Sequence, residues 1–215
     1  MTSETLARPS RRTEPARPAR SDREGAFEFE PHHCFACGEL NEHGLHLAIH
    51  TDPSGSWTET TLAQRFQGWE SVAHGGVVCT LLDEVMAWSV IGRGTWGVTA
   101  RLNAAFRRPI PVGRAIRAEG WVVDEHRRAH RTAGRVLDAQ TGEVLATAEG
   151  TFMAVPPDEV ERLKARYGMR RAGPGAASEP VASEPAAGEL GAGDPTERED
   201  ARARPPARAA GRNNR

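Results

Sequence analysis

Apolar and polar positions keep a strand rhythm over most of the middle of the chain. In Leu45-His46-Leu47-Ala48-Ile49-His50 the large apolar residues take every second place, the pattern of a strand with one buried face. Asp52-Pro53-Ser54-Gly55 supplies a turn. Trp57 to Phe66, rich in Thr, predicts a second strand. Val98 to Phe106 predicts a third, stopped by Arg107-Arg108-Pro109. Pro111-Val112-Gly113 turns into a fourth, Ala115 to Val123. A fifth is predicted over His130 to Leu137. Asp138-Ala139-Gln140-Thr141-Gly142 connects it tightly to a sixth, Val144 to Val155. Pro157 to Tyr167 predicts a short polar helix with Pro near its start.

One segment breaks this rhythm. Gly75-Gly76 opens a continuous run from Val77 to Ile91, and Gly92 closes it. The run is too long for an ordinary strand and ends on a glycine stop. It is apolar on nearly every side, so it predicts a buried helix. The expected order is two strands, a buried central helix, then four strands that wrap around it.

Composition sets the limits of this domain. Before Gly25 and after Tyr167 the chain is mainly Pro, Ala, Gly, Arg and Glu; from Arg170 to Arg215 only Val181 and Leu190 are sizeable aliphatics. Such segments bury too little apolar surface to offset the entropy of ordering them. The expected organisation is a disordered tail over residues 1–24, one domain over 25–168 and a second tail over 169–215. The N-terminal stretch lacks an apolar core for a secretory signal. Glu4, Glu14, Asp22 and Glu24 interrupt the Arg- and Ser-rich pattern of a transit peptide. A formal net charge of -1 gives no general attraction to nucleic acid or anionic membranes, and no apolar run is long enough to cross a bilayer. Three cysteines, an odd number, argue against a disulfide framework and for a reducing, cytoplasmic setting.

Two features of the predicted helix exceed what packing needs. Its first turn, at Gly75 and Gly76 after His74, carries backbone N–H groups without intrahelical partners. Those amides, with the helix dipole behind them, can stabilise a developing oxyanion. Missing side chains at the two glycines let another molecule approach. Second, Asp83 and Glu84 interrupt the apolar run, and a buried carboxylate is costly unless paired. Asp83 lies about two turns after Gly76, near the same face as Thr80, with Glu84 about 100° round the helix. Either acid could instead pair with an arginine such as Arg101 and serve only the fold. His74 is a catalytic candidate beside the glycine pair, although a lone histidine is more often a structural hydrogen-bonding residue.

His74-Gly75-Gly76, Leu82-Asp83 nine positions after the histidine, and Gly97-Val98-Thr99 opening the next strand together resemble the hot-dog fold acyl-CoA thioesterases. More narrowly, they are similar to the phenylacetate-pathway and THEM-type branch. Cys34-Phe35-Ala36-Cys37-Gly38 with Asn41 and Gly44-Leu45, and Phe106-Arg107-Arg108-Pro109 before Pro111-Val112-Gly113, extend the resemblance over about Pro31 to Val155. It implies an α+β hot-dog fold, a curved antiparallel sheet wrapped around one long helix. It also implies a homodimer or dimer of dimers with active sites between subunits. The N–H of Gly76 or Gly75 would polarise a thioester carbonyl, Asp83 from the partner subunit would act as general base or nucleophile, and Thr99 would help place water or carboxylate. Some relatives carry an Asn or Gln shortly before His-Gly-Gly that positions water or substrate; here Gly68 stands six residues before His74, and Gln67 beside it is the candidate to substitute in binding substrate.

The chemistry fits these parts. Thioester hydrolysis needs an activated oxygen and donors for the carbonyl oxygen, and neither a metal nor another cofactor. No G-x-S-x-G elbow is present. Arg107 and Arg108, ahead of Arg127, Arg128 and Arg131, are the better placed to meet coenzyme A phosphates. Cys34-x-x-Cys37 supplies two zinc ligands with histidines nearby, but the spacing matches zinc sites poorly and a structural loop is the alternative. Cys79 reads as a small core residue. The implied activity is hydrolysis of an acyl-CoA; a non-catalytic acyl-CoA-binding hot-dog protein is the alternative. A hydratase would want a different His and acid pattern.

Overall fold

The long apolar run folds as one helix. In the computed structural model, which describes residues 27–171, α1 spans Gly75–Ile91 and Gly92 caps its C-terminal end. The strands before it are β1 (Phe27–Glu28), β2 (His50–Asp52), β3 (Gly55–Thr61), β4 (Gln67–Trp69) and β5 (Val72–Ala73). After it come β6 (Gly97–Phe106), β7 (Ala115–His126), β8 (Ala129–Asp138) and β9 (Val144–Ala154), then helix α2 (Pro157–Arg166) and β10 (Arg170–Arg171). The main sheet is six-stranded and antiparallel, in the order β2-β3-β7-β8-β9-β6. It curves against α1, the α+β hot-dog architecture that the resemblance implied. Among the described residues no helix is long and apolar enough to cross a membrane. The tails expected at 1–24 and 169–215 lie outside the described residues, except for residues 169–171.

The core explains why helix and sheet meet so closely. Leu81, Leu82, Val85, Met86 and Val90 of α1 are fully buried with Ile116, Val136, Ala146 and Phe152 of the sheet. The approach is closest at Gly120 in β7, where an added Cβ would lie 2.4 Å from the Val85 carbonyl oxygen and 2.7 Å from the Met86 nitrogen. Only a residue without a side chain fits there. The Ser56 hydroxyl donates to that same Val85 carbonyl, pinning β3 to the helix.

Several expectations need correction. The segment 45–50 does not form a strand: only His50 pairs, in β2. Leu45 and Leu47 are buried as the alternation foretold, but their N–H groups bond to Phe35 O and Ala36 O in a loop. His46 takes a left-handed φ of 48°, which no strand tolerates. The second strand ends at Thr61, because Gln64–Phe66 turns into a 3-10 helix. The short β4–β5 hairpin had no periodic signal. The helix is not enclosed on all sides: only eight of its seventeen residues are buried. Gly75 and Gly76 are exposed, and Cys79, Thr80, Asp83 and Ala87 are half-buried. The chain's own sheet covers one side of α1, and β6, the last strand of the order, leaves an edge free.

Candidate active site

His74 decides how α1 begins. It sits in extended backbone at the N-cap, and its Nδ1 accepts the Gly76 N–H at 3.0 Å. Its carbonyl accepts the N–H groups of Val77 and Val78. The expectation that Gly76 N–H is available to a ligand is thereby corrected, because the cap consumes it. The Gly75 N–H has no protein acceptor among the described residues, and Gly75 is exposed. The orphan donor of this helix start is therefore one residue earlier than preferred from sequence.

Gly75 opens onto a groove of about 560 Å³, mostly apolar, whose walls include Trp69, Val72, Phe106, Pro109 and Ile110. Trp69 and Phe106 are largely exposed at its rim. Arg107 and Arg108 line the same groove, so the structure brings Gly75 and both expected arginines together. Arg108 also forms an exposed ion pair with Glu143 at 3.0 Å. Gln67 is not among these lining residues. Its side-chain oxygen accepts from Gln64 Nε2 at 2.7 Å and from Ser71 N at 3.3 Å, tying it into the β4–β5 hairpin. Gly68 is the residue that lies against His74: a Cβ there would stand 3.2 Å from the His74 Cα. Arg127 occupies a left-handed turn and Arg128 donates to Ala154 O, while Arg131 and Arg101 line a separate polar cavity of about 270 Å³.

Asp83 points from the open face of α1 toward β6. Thr99, exposed on that strand, donates its hydroxyl to Asp83 Oδ1 at 2.8 Å. The expected pair thus meets within one chain, and Arg101 is the partner of neither acid. Burial pushes the Asp83 carboxyl above its ordinary value, the Thr99 hydroxyl pulls it down, and the Cys34 sulfur pushes it up. Glu84 turns away, as the helical geometry required. Trp88 Nε1 donates to its Oε1 at 2.9 Å, and burial, the first cause, lifts its pKa to about 6.

A cluster that sequence reasoning did not assemble surrounds Glu84. One ligand atom each from Cys34, Cys37 and Glu84 lies within 4.8 Å of the others. The C-x-x-C spacing signalled two of these; nothing local signalled that α1 supplies the third. The Cys34 thiol is drawn down to about 5, first by the Cys37 S–H it accepts, while Cys37 is pushed up by giving that hydrogen bond and by burial.

Asp83 and Gly75 are eight residues apart on one helix, about 12 Å along its axis at 1.5 Å per residue. One chain therefore presents a donor with an apolar groove at the start of α1 and an oriented carboxylate further along the helix.

Residues 70–145 match the thioesterase superfamily, a span that holds the helix start, Asp83 and Thr99. A solved thioesterase superfamily protein is similar at 28% identity and a TM-score of 0.51 over 54% of this chain. The chain covers 60% of that protein's length. The zebra fish thioesterase superfamily member 2 shares the fold at 16% identity and a TM-score of 0.51, covering 55% of this chain and 90% of that one. No curated protein matches the sequence.

Proposed function

We propose that this chain, whose residues 70–145 match the thioesterase superfamily, hydrolyses an acyl-CoA to the free acid and coenzyme A. The observation that carries this reading is the 2.8 Å hydrogen bond from Thr99 to Asp83, which holds a half-buried carboxylate on the helix that begins at the free Gly75 amide. A carboxylate so held can take a proton from water, or attack the thioester carbonyl itself. The Gly75 N–H, reinforced by the helix dipole, supports the oxygen as it gains charge. The groove beside it offers Trp69 and Phe106 to apolar parts of the substrate, and Arg107 and Arg108 to phosphate.

Two copies complete the site. Within one chain the donor and the base stand about 12 Å apart along the axis, too far for a chain of ~3 Å contacts through one carbonyl and one water. The open face of α1 and the free edge of β6 are where a second copy would bring its own Asp83 toward Gly75. A homodimer, alone or doubled, follows from this reading.

The test is thiol release from a panel of acyl-CoAs, with Asp83→Asn alongside. Hydrolysis by the wild type and a fall of roughly two to four orders of magnitude in the variant are expected. Tight binding of acyl-CoA without thiol release from any member would establish a non-catalytic binder instead.

A further inference from the structure

We propose that Cys34, Cys37 and Glu84 form a binding site for a soft divalent metal ion, zinc foremost, which clamps the loop before β2 to α1. The three ligand atoms lie within 4.8 Å of one another. Around a tetrahedral zinc with Zn–S bonds of about 2.3 Å the two sulfurs would be roughly 3.8 Å apart, so the cluster needs only small side-chain movements to close on an ion.

The loop holds Cys34 and Cys37 in one tight turn. The Gly38 N–H closes the turn on Cys34 O at 3.0 Å. A Cβ at Gly38 would come within 2.4 Å of Cys34 N and of His32 O, so the turn is as tight as a chain allows. On the α1 side Trp88 Nε1 fixes the carboxylate at 2.9 Å, the kind of outer hydrogen bond that orients a metal-bound carboxylate.

Charge makes the same case. Glu84 is half-buried and has no Lys or Arg partner among the described residues. Two sulfurs and a carboxylate converge with only the His32 imidazole, whose Nδ1 accepts from Cys34 N at 3.3 Å, close by; a divalent cation would answer the rest of their charge. Paired thiolates select zinc over magnesium or calcium. Binding expels the proton that Cys37 shares with Cys34 and leaves a fourth coordination position to water. The site is independent of the acyl-CoA reading, since it uses neither Asp83 nor the Gly75 groove.

The full-length protein is purified without chelator for metal analysis, then stripped and titrated with cobalt(II). One equivalent of zinc per chain is expected. Cobalt should give thiolate-to-metal absorption with intense tetrahedral visible bands that zinc displaces. Cys34→Ser and Cys37→Ser should abolish the thiolate absorption, and Glu84→Gln should weaken cobalt binding at least tenfold. Because a variant could fail to fold, the wild-type titration decides on its own. Wild-type protein that is metal-free and gives no thiolate band overturns the site. So does a wild-type mass two hydrogens lower with no metal, which would identify a disulfide pair. Unchanged affinity in a folded Glu84→Gln overturns the part played by α1.

Discussion

Thr99→Val is the sharpest probe of how Asp83 is held. The substitution keeps the shape of an exposed side chain and removes only the hydroxyl that donates to Asp83 Oδ1 at 2.8 Å. A hydrogen bond to a charged group is worth about 1.5–3 kcal/mol. Asp83 is half-buried, so solvent screening places this one near the lower bound, about 1.5 kcal/mol. At 1.36 kcal/mol per pKa unit that is roughly one unit. The sign follows from the protonation state that acts. The base must be ionised, Thr99 favours the ionised form, and burial already holds the carboxyl above its ordinary value. Loss of the hydroxyl therefore raises the pKa further and moves the acid limb of kcat/KM to higher pH by about one unit. Below that limb the rate should fall about tenfold, with little loss on the plateau. The assay is thiol release across a pH series for wild type and variant. An acid limb that stays in place, or moves to lower pH, would refute Asp83 as the ionised base held by Thr99.

Other outcomes follow from the same geometry. If two chains share each site, mixing Asp83→Ala with Gly75→Val should restore activity in hybrid dimers, where one of the two sites keeps both groups; verified hybrids without activity would count against the shared site. Gly75→Val should not unfold either parent, because a Cβ there meets only the Phe106 ring at 3.5 Å. Gly120→Ala should destabilise by about 3 kcal/mol in urea unfolding, the upper end for overpacking, since its methyl would strike helix backbone rather than a side chain that can rotate. A loss below about 1 kcal/mol would show that α1 can withdraw from β7 cheaply. Asp83→Asn should melt no lower than wild type at neutral pH: a carboxyl whose pKa is raised by folding costs stability once it ionises, and the amide removes that cost.

What the sequence determined by itself is whatever depends on local period and local chemistry. The apolar run between Gly75-Gly76 and Gly92 could only be one helix, and the alternating segments after it became β6 to β9 nearly residue for residue. Asp83 and Glu84 were conspicuous because charge within such a run has a cost, whatever surrounds it. The direction of each was readable from helical rotation alone. Tertiary structure decided the rest, because those answers are set by distance between segments far apart in the chain. Leu45 and Leu47 kept their burial but lost their strand, since the backbone partners available to them were carbonyls of the 35–36 loop. The His74 ring, not the glycine pair, settled which amide stays free, by capping Gly76 at 3.0 Å. Gln67 was drawn off by Ser71 and Gln64. The meeting of Cys34 and Cys37 with Glu84 joins a loop to the middle of a helix, and no period or spacing in the chain encodes a contact of that kind.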